Sequence, residues 1–166
     1  LGITDKDFYG AISSFKGAAK RLQVLAETDD CTIFQDFAHS PSKLKATVTA
    51  VRQQFPGRKL TACMELHTFS SLTADFLPEY KDSMNDAHQA FVYYNPKTIE
   101  HKQLAPITPD QVALAFGGRQ VTVFTDSAEL VKTLKTLDYH GRNLLLMSSG
   151  NFDGLNLKAL ALDILS

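Results

Sequence analysis

From Asp36 onward one alternation governs the sequence: a short apolar run, a turn, then a segment whose apolar residues recur at helical spacing. The apolar runs are "KLTACMEL", "AFVYY", "QVTVF" and "NLLLM"; Leu44, Val48, Val51 and Phe55, or Leu130, Leu134 and Leu137, mark helical segments. A run that stays apolar at successive positions predicts a strand covered on both faces. Spacing of three to four predicts a helix with one buried stripe. Repeated strand–helix–strand units lay their strands parallel, with helices on both faces. Upstream, "RLQVLAE" and "CTIFQDF" flank "TDD" and predict a hairpin. The expected fold is a single α/β domain over residues 1–166. It should be Rossmann-like and doubly wound, a mostly parallel sheet of about six strands with an N-terminal antiparallel hairpin.

Local signals refine the helices. Phe8, Ile12 and Phe15 predict a short helix broken at Gly17. Ser40 fits an N-cap and Pro41 the first helical position, with Gly57 as the stop. A further helix is expected around Phe76, Tyr80 and Met84, and another from Thr108-Pro109 to Gly117-Gly118. Asp126 to Glu129, "DSAE", has the capping-box pattern. Leu157, Leu160 and Ile164 predict the last helix, with Asp153 a candidate cap. Phe69 is expected in the core, and His88, His101 and His140 at the surface.

With 166 residues, 44% of them hydrophobic, the chain can bury one core and is short for two. Its 17 basic and 18 acidic residues leave a net charge of −1, so no field favours nucleic acid or an anionic membrane. No apolar run approaches the roughly 20 residues that cross a bilayer. The first residues lack a charged-then-apolar signal, and a cytoplasmic location is expected. Cys31 and Cys63 have no ligand spacing and predict buried free thiols. A chain that opens on Leu1 is expected to be a piece of a longer one.

Ligands of a doubly wound sheet bind beyond the carboxyl ends of its strands. Three such ends carry chemistry. In "QDFAHSPSKLKATV", Asp36 ends a strand and His39 precedes a helix N-terminus, whose free N–H groups suit a phosphate. The carboxylate suits a ribose hydroxyl. The same residues also read simply as an Asp capping its turn and a His packed on the sheet; a metal site lacks a third ligand nearby. "ELHTFSSL", residues 65–72, holds a carboxylate, His67 and three hydroxyls, including Ser70 and Ser71. That set can grip a polar substrate or merely cap a turn. "MSSGNFDGL" offers Ser149, Gly150 and Asn151, with glycines that let a ligand approach the backbone. It lacks the G-x-G-x-x-G order of a dinucleotide fingerprint. The chain has no G-x-x-x-x-G-K-[ST] loop, no G-x-S-x-G elbow and no Cys/His metal spacing, so it does not read as a complete ATP-using enzyme.

Taken together and in order, "SFKGAAKRLQ", "TIFQDFAHSPSKLKATVTAVR", "LTACMELHTFSSL" and "LLLMSSGNFDGL" resemble the C-terminal domain of the Mur ligases, from about Ser14 to the end. The likeness is greatest to the branch that joins alanine, or a recycled murein tripeptide, to UDP-N-acetylmuramate. The resemblance implies a three-domain, ADP-forming ligase of peptidoglycan synthesis or recycling. Its N-terminal domain binds the UDP-sugar, its central domain carries the ATP phosphate loop, and Mg and ATP are held mainly by those domains. The partners implied are UDP-N-acetylmuramate, an amino acid or peptide, and the other two domains. This C-terminal part, inactive alone, closes over the site. Carried across, Asp36, His39 and Arg21 become nucleotide contacts; His67, Ser70, Ser71, Ser149, Gly150 and Asn151 become substrate contacts. One departure stands out: Thr68 and Ser71 occupy positions where the alanine-adding and recycling ligases carry arginines, so their bidentate carboxylate clamp is absent. Two other readings fit the fold: a free-standing small-molecule-binding regulatory module, and a folylpolyglutamate-synthase-type ligase domain with a similar Asp-x-x-His turn.

Overall fold

The computed structural model describes residues 22–118 and 121–166. The apolar pattern at Phe8, Ile12 and Phe15, and Arg21, lie outside those residues. Six described strands form one sheet: β1 (Gln23–Glu27), β2 (Thr32–Asp36), β3 (Lys59–Glu65), β4 (Gln89–Tyr93), β5 (Val121–Phe124) and β6 (Arg142–Met147). Their spatial order is β1-β2-β6-β3-β4-β5. β1 pairs antiparallel with β2, and all other pairs are parallel. The expected doubly wound sheet with its hairpin is therefore what forms.

Both faces are covered, as the continuous apolar runs require. Along β6, Leu145 and Met147 enter one core while Leu144 and Leu146 enter the other. Along β4, Ala90 and Val92 share the first core, Phe91 and Tyr93 the second. The first core is closed by α1 (Pro41–Gln54), α2 (Pro96–His101) and α3 (Pro109–Ala115), through Leu44, Val48, Val51, Ile99 and Val112. The second is closed by α4 (Ser127–Thr136) and α5 (Leu157–Ile164), through Leu130, Leu134, Leu157 and Leu160. Each fully buried aliphatic side chain contributes about 1.5–3 kcal/mol, so period-2 alternation in the strands and 3.6-period stripes in the helices select this stacking. Cys31 and Cys63 are buried free thiols, and burial pushes the Cys31 thiol up to about 11.

Several local expectations shift. No α-helix forms around Phe76, Tyr80 and Met84; two 3₁₀ turns, Ser70–Leu72 and Leu77–Tyr80, take its place. Pro78 has no N–H to donate, and Asp82 sits at φ +60°, which ends any right-handed run. Tyr80 and Met84 still reach the core. The short α2, capped by Asn95, was not read from the sequence. Ser40 holds the N-cap position of α1 without a side-chain bond. Asp126 alone closes the first turn of α4, accepting from the N–H groups of Ala128 and Glu129. The reciprocal capping box forms instead between Thr108 and Gln111 on α3. Asn156, not Asp153, caps α5.

At the opposite, amino edge, His88 Nδ1 accepts the Leu60 N–H at 2.9 Å. Partial burial, then the nearby cations Arg52, Arg142 and Lys59, hold its pKa below the ordinary histidine value. Only the neutral ring can accept this bond. A lowered folded pKa means the bond's stabilisation, under about 1 kcal/mol because the exposed ring is screened by solvent, is full above the unfolded pKa of about 6.5 and is lost as pH falls through the folded value. Urea midpoints between pH 7.5 and pH 5 should therefore decline in the wild type and decline less in His88→Ala. Parallel pH profiles would sink this assignment.

Candidate functional site

Topology decides which strand ends meet. β6, last in the chain, is inserted between β2 and β3. The loop after β6 therefore lies between the turn that follows β2 and the turn that follows β3, and the three candidate stretches share one edge.

Asp36 ends β2 and is 9% exposed. Its Oδ1 accepts the Ala38 N–H at 2.7 Å, and its Oδ2 accepts the Leu22 N–H at 2.6 Å. The Thr47 hydroxyl donates to Oδ1 at 3.5 Å. The carboxylate thus fixes both its own turn and the chain entering β1, where Leu22 has φ +39°. Asp36 also forms part of the wall of a cavity of about 350 Å³, completed by Phe37, Ala38, Lys43, Ala46 and Thr47. His39 is half-buried beside it. Its Nδ1 lies 3.0 Å from the Phe37 carbonyl, a bond that requires the proton on Nδ1 and leaves Nε2 as acceptor. The exposed Phe37 ring meets the imidazole edge-on at 5.2 Å, and the Tyr80 hydroxyl donates to the His39 carbonyl at 2.6 Å.

Glu65, at the end of β3, is the hub of the neighbouring turn. It is 3% exposed. Its Oε2 accepts from the Ser148 hydroxyl and, at 2.9 Å, from the Phe152 N–H. Its Oε1 is 3.8 Å from His67 Nδ1. Ser148 in turn donates its N–H to the Asp36 carbonyl at 3.1 Å and accepts the Gly150 N–H at 2.6 Å. One chain of bonds thus runs from β2 through the β6 loop to β3. Gly150 is required there by space: a Cβ would stand 2.7 Å from His67 Cγ and 2.8 Å from Glu65 Oε2. Ser149 Oγ is buried without a partner among the described residues. Phe152 and Asp153 both adopt positive φ, +49° and +61°, a conformation the surrounding bonds must hold. The buried Phe152 ring stacks on Tyr93, and Asp153 accepts from Asn95 Nδ2 at 3.0 Å. Gly150 and Asn151 also line a cleft of about 460 Å³ with β1 and the start of α5.

Not every predicted contact faces this edge equally. His67 is half-exposed and Ser70 exposed. Ser71 is 1% exposed and spends its hydroxyl on the Thr68 carbonyl at 3.0 Å, so its visible work is to tie its own turn. Phe69, expected in the core, is 60% exposed because the 3₁₀ turn sends Leu72 inward instead. Lys102 Nζ lies 4.2 Å from the centre of its ring. Arg21 is outside the described residues. Sequence reasoning noted a carboxylate in "ELHTFSSL" without assigning it a role. The available signal was a lone Glu ending an otherwise apolar buried strand, where an unpaired charge needs donors.

A mostly parallel six-stranded sheet with helices on both faces and three interlocked polar loops beyond its strand ends defines a doubly wound α/β domain. Residues 20–150 match the family of the Mur ligase glutamate ligase domain, and the chain belongs to that family. A UDP-N-acetylmuramate–L-alanine ligase of Chlorobium phaeobacteroides (strain BS1) is 30% identical over 156 residues, covering 91% of this chain and 33% of that protein. The crystal structure of a murein peptide ligase from Psychrobacter arcticus 273-4 superposes with a TM-score of 0.64 at 20% identity, over 99% of this chain and 34% of that one. A MurF ligase of Thermotoga maritima, solved in complex with ADP, gives 0.57 at 17% identity, over 98% and 33%. The chain thus spans about a third of the length of these relatives. Among the described residues no helix is long and apolar enough to cross a membrane.

Proposed function

We propose that this chain is the C-terminal, substrate- and nucleotide-contacting part of a cytoplasmic, ATP-dependent ligase that forms an amide on UDP-N-acetylmuramate in peptidoglycan synthesis or recycling. The observation that supports the reading is the bonded path Asp36–Ser148–Glu65, which joins the turn after β2 to the turn after β3 at one edge. In the proposed reaction ATP activates a substrate carboxylate as an acyl phosphate, an amine displaces phosphate, and ADP is released. Asp36, His39 and Arg21 would meet the nucleotide. The cavity beside Asp36 fits that role: it has a cation, Lys43, for phosphate, and a carboxylate with one lone pair, on Oδ2, left for a hydroxyl. Mg would be held mainly by the other domains of the full-length enzyme. His67, Ser70, Ser149, Gly150 and Asn151 would meet the amine substrate, with the buried Ser71 holding their turn. With Thr68 and Ser71 in place of arginines, Lys102 over Phe69 is a described cation beside that loop, and it suits a carboxylate on the substrate. Isolated, the domain would be inactive.

In the full-length enzyme, His39→Ala and Arg21→Ala are each expected to lower turnover at least about tenfold, the size of one lost charge-stabilising contact. The His39→Ala melting temperature should stay close to wild type, because the ring's described contacts are an exposed bond to the Phe37 carbonyl and an edge-on contact with the exposed Phe37 ring. Wild-type turnover in both variants would remove the nucleotide assignment.

A further inference from the structure

We infer that His67, oriented by the buried Glu65, is the base that takes the proton from the incoming ammonium group. The inference rests on the ligase reading above and goes beyond substrate contact. An amine enters at neutral pH as an ammonium ion, which has no lone pair, so a ligase of this kind needs a proton acceptor at the substrate turn.

The ring of His67 has two distinguishable edges. The Nδ1 edge is enclosed: Gly150 packs against it so closely that a Cβ would lie 2.9 Å from Nδ1, and Glu65 Oε1 stands 3.8 Å away. A movement of about 1 Å brings that carboxylate to hydrogen-bond distance, the kind of tightening expected when a site closes on its substrate. Glu65 is 3% exposed, and its donors, the Ser148 hydroxyl and the Phe152 N–H, both serve Oε2. Oε1 is therefore left to face the imidazole. A carboxylate beside Nδ1 selects the tautomer with its proton there and leaves the lone pair on Nε2. The imidazole side chain is 40% exposed; with Nδ1 turned toward Glu65, the substrate-facing edge is assigned to Nε2. The residues of the β6 loop that meet the pair, Ser148, Gly150 and Phe152, are uncharged.

The step balances simply. An N–H bond of the ammonium breaks and its proton passes to His67 Nε2. The freed lone pair attacks the acyl carbon, the C–N bond forms, the C–O bond to phosphate breaks, and the second proton on nitrogen leaves with the departing phosphate, giving the neutral amide. His67 then returns the proton to solvent. Glu65 does not touch the substrate; it is a positioning residue that holds the tautomer and stabilises the imidazolium formed.

The test uses the full-length enzyme and two kinds of acceptor. One is an amine drawn from a panel of amino acids and the murein tripeptide; the other is hydroxylamine, which is largely unprotonated at neutral pH and needs no base. ADP release and hydroxamate formation are the readouts, with melting temperatures as a folding check. His67→Gln is expected to lose about 10²-fold or more in kcat with the amine and far less with hydroxylamine. Glu65→Gln, which preserves the acceptor for Ser148 and Phe152, should show the same contrast with a smaller loss on the amine. Equal losses with both acceptors, or no loss with the amine, overturn the assignment. If the wild type releases ADP with neither acceptor, the ligase reading itself fails, and this one with it.

Discussion

Gly150→Ala is expected to destabilise the domain by about 2–3 kcal/mol, the cost of forcing a methyl group into a packed site. For a chain of this size that lowers the melting temperature by about 4–12 °C. The effect is steric. A Cβ at this position meets His67 Cγ at 2.7 Å and Glu65 Oε2 at 2.8 Å. The imidazole is half-exposed and can swing away, but Glu65 is buried and held by Ser148 and the Phe152 N–H. Relief therefore requires the β6 loop to lift, which loosens those bonds and the positive-φ segment at Phe152 and Asp153. Full-length turnover should fall with the same substitution, because His67 is displaced or the loop is. Calorimetry paired with an ADP-release assay checks both. A variant with wild-type melting and turnover would show that the loop is free to move, contrary to this structure.

Asp36→Ala is the second large effect, about 2–4 kcal/mol. It strips an acceptor from the Leu22 and Ala38 N–H groups and from the Thr47 hydroxyl together. The Ala38 amide is buried, so its N–H would have no water to turn to. Asp36→Asn keeps one carbonyl oxygen and should recover part of the loss. The contrast with His39→Ala is informative: that substitution should cost turnover and little stability, whereas Asp36→Ala should cost both. Thermal melts of the two variants beside wild type decide it. An Asp36→Ala protein as stable as wild type would mean that the carboxylate does not hold the turn and serves the ligand alone.

Much of the fold was legible because it rests on local periodicity. A strand buried on two faces has to be apolar at every position, and "NLLLM" and "KLTACMEL" are; a helix with one buried stripe has to repeat every three to four residues, and Leu44–Val48–Val51 does. The failures were also local. Apolar residues at 76, 80 and 84 carry a helical period, but Pro78 removes a donor and the chain tightens into 3₁₀ turns. Phe69 looked like core by its hydrophobicity, yet the following turn gives its inward place to Leu72.

Of the candidate site, the Asp36–His39 turn and the glycine loop were visible as motifs, because turns and caps announce themselves in neighbouring residues. Glu65 did not, since its partners Ser148 and Phe152 stand 83 and 87 positions away. By itself, then, the amino-acid order determined most of the element types, the two-faced burial of the strands and the three polar turns, all of which are written in patterns of a few residues. Tertiary structure alone decided that β6 enters between β2 and β3. Strand pairing is a long-range choice, and that one choice makes a buried carboxylate, an imidazole and a glycine from distant stretches into neighbours.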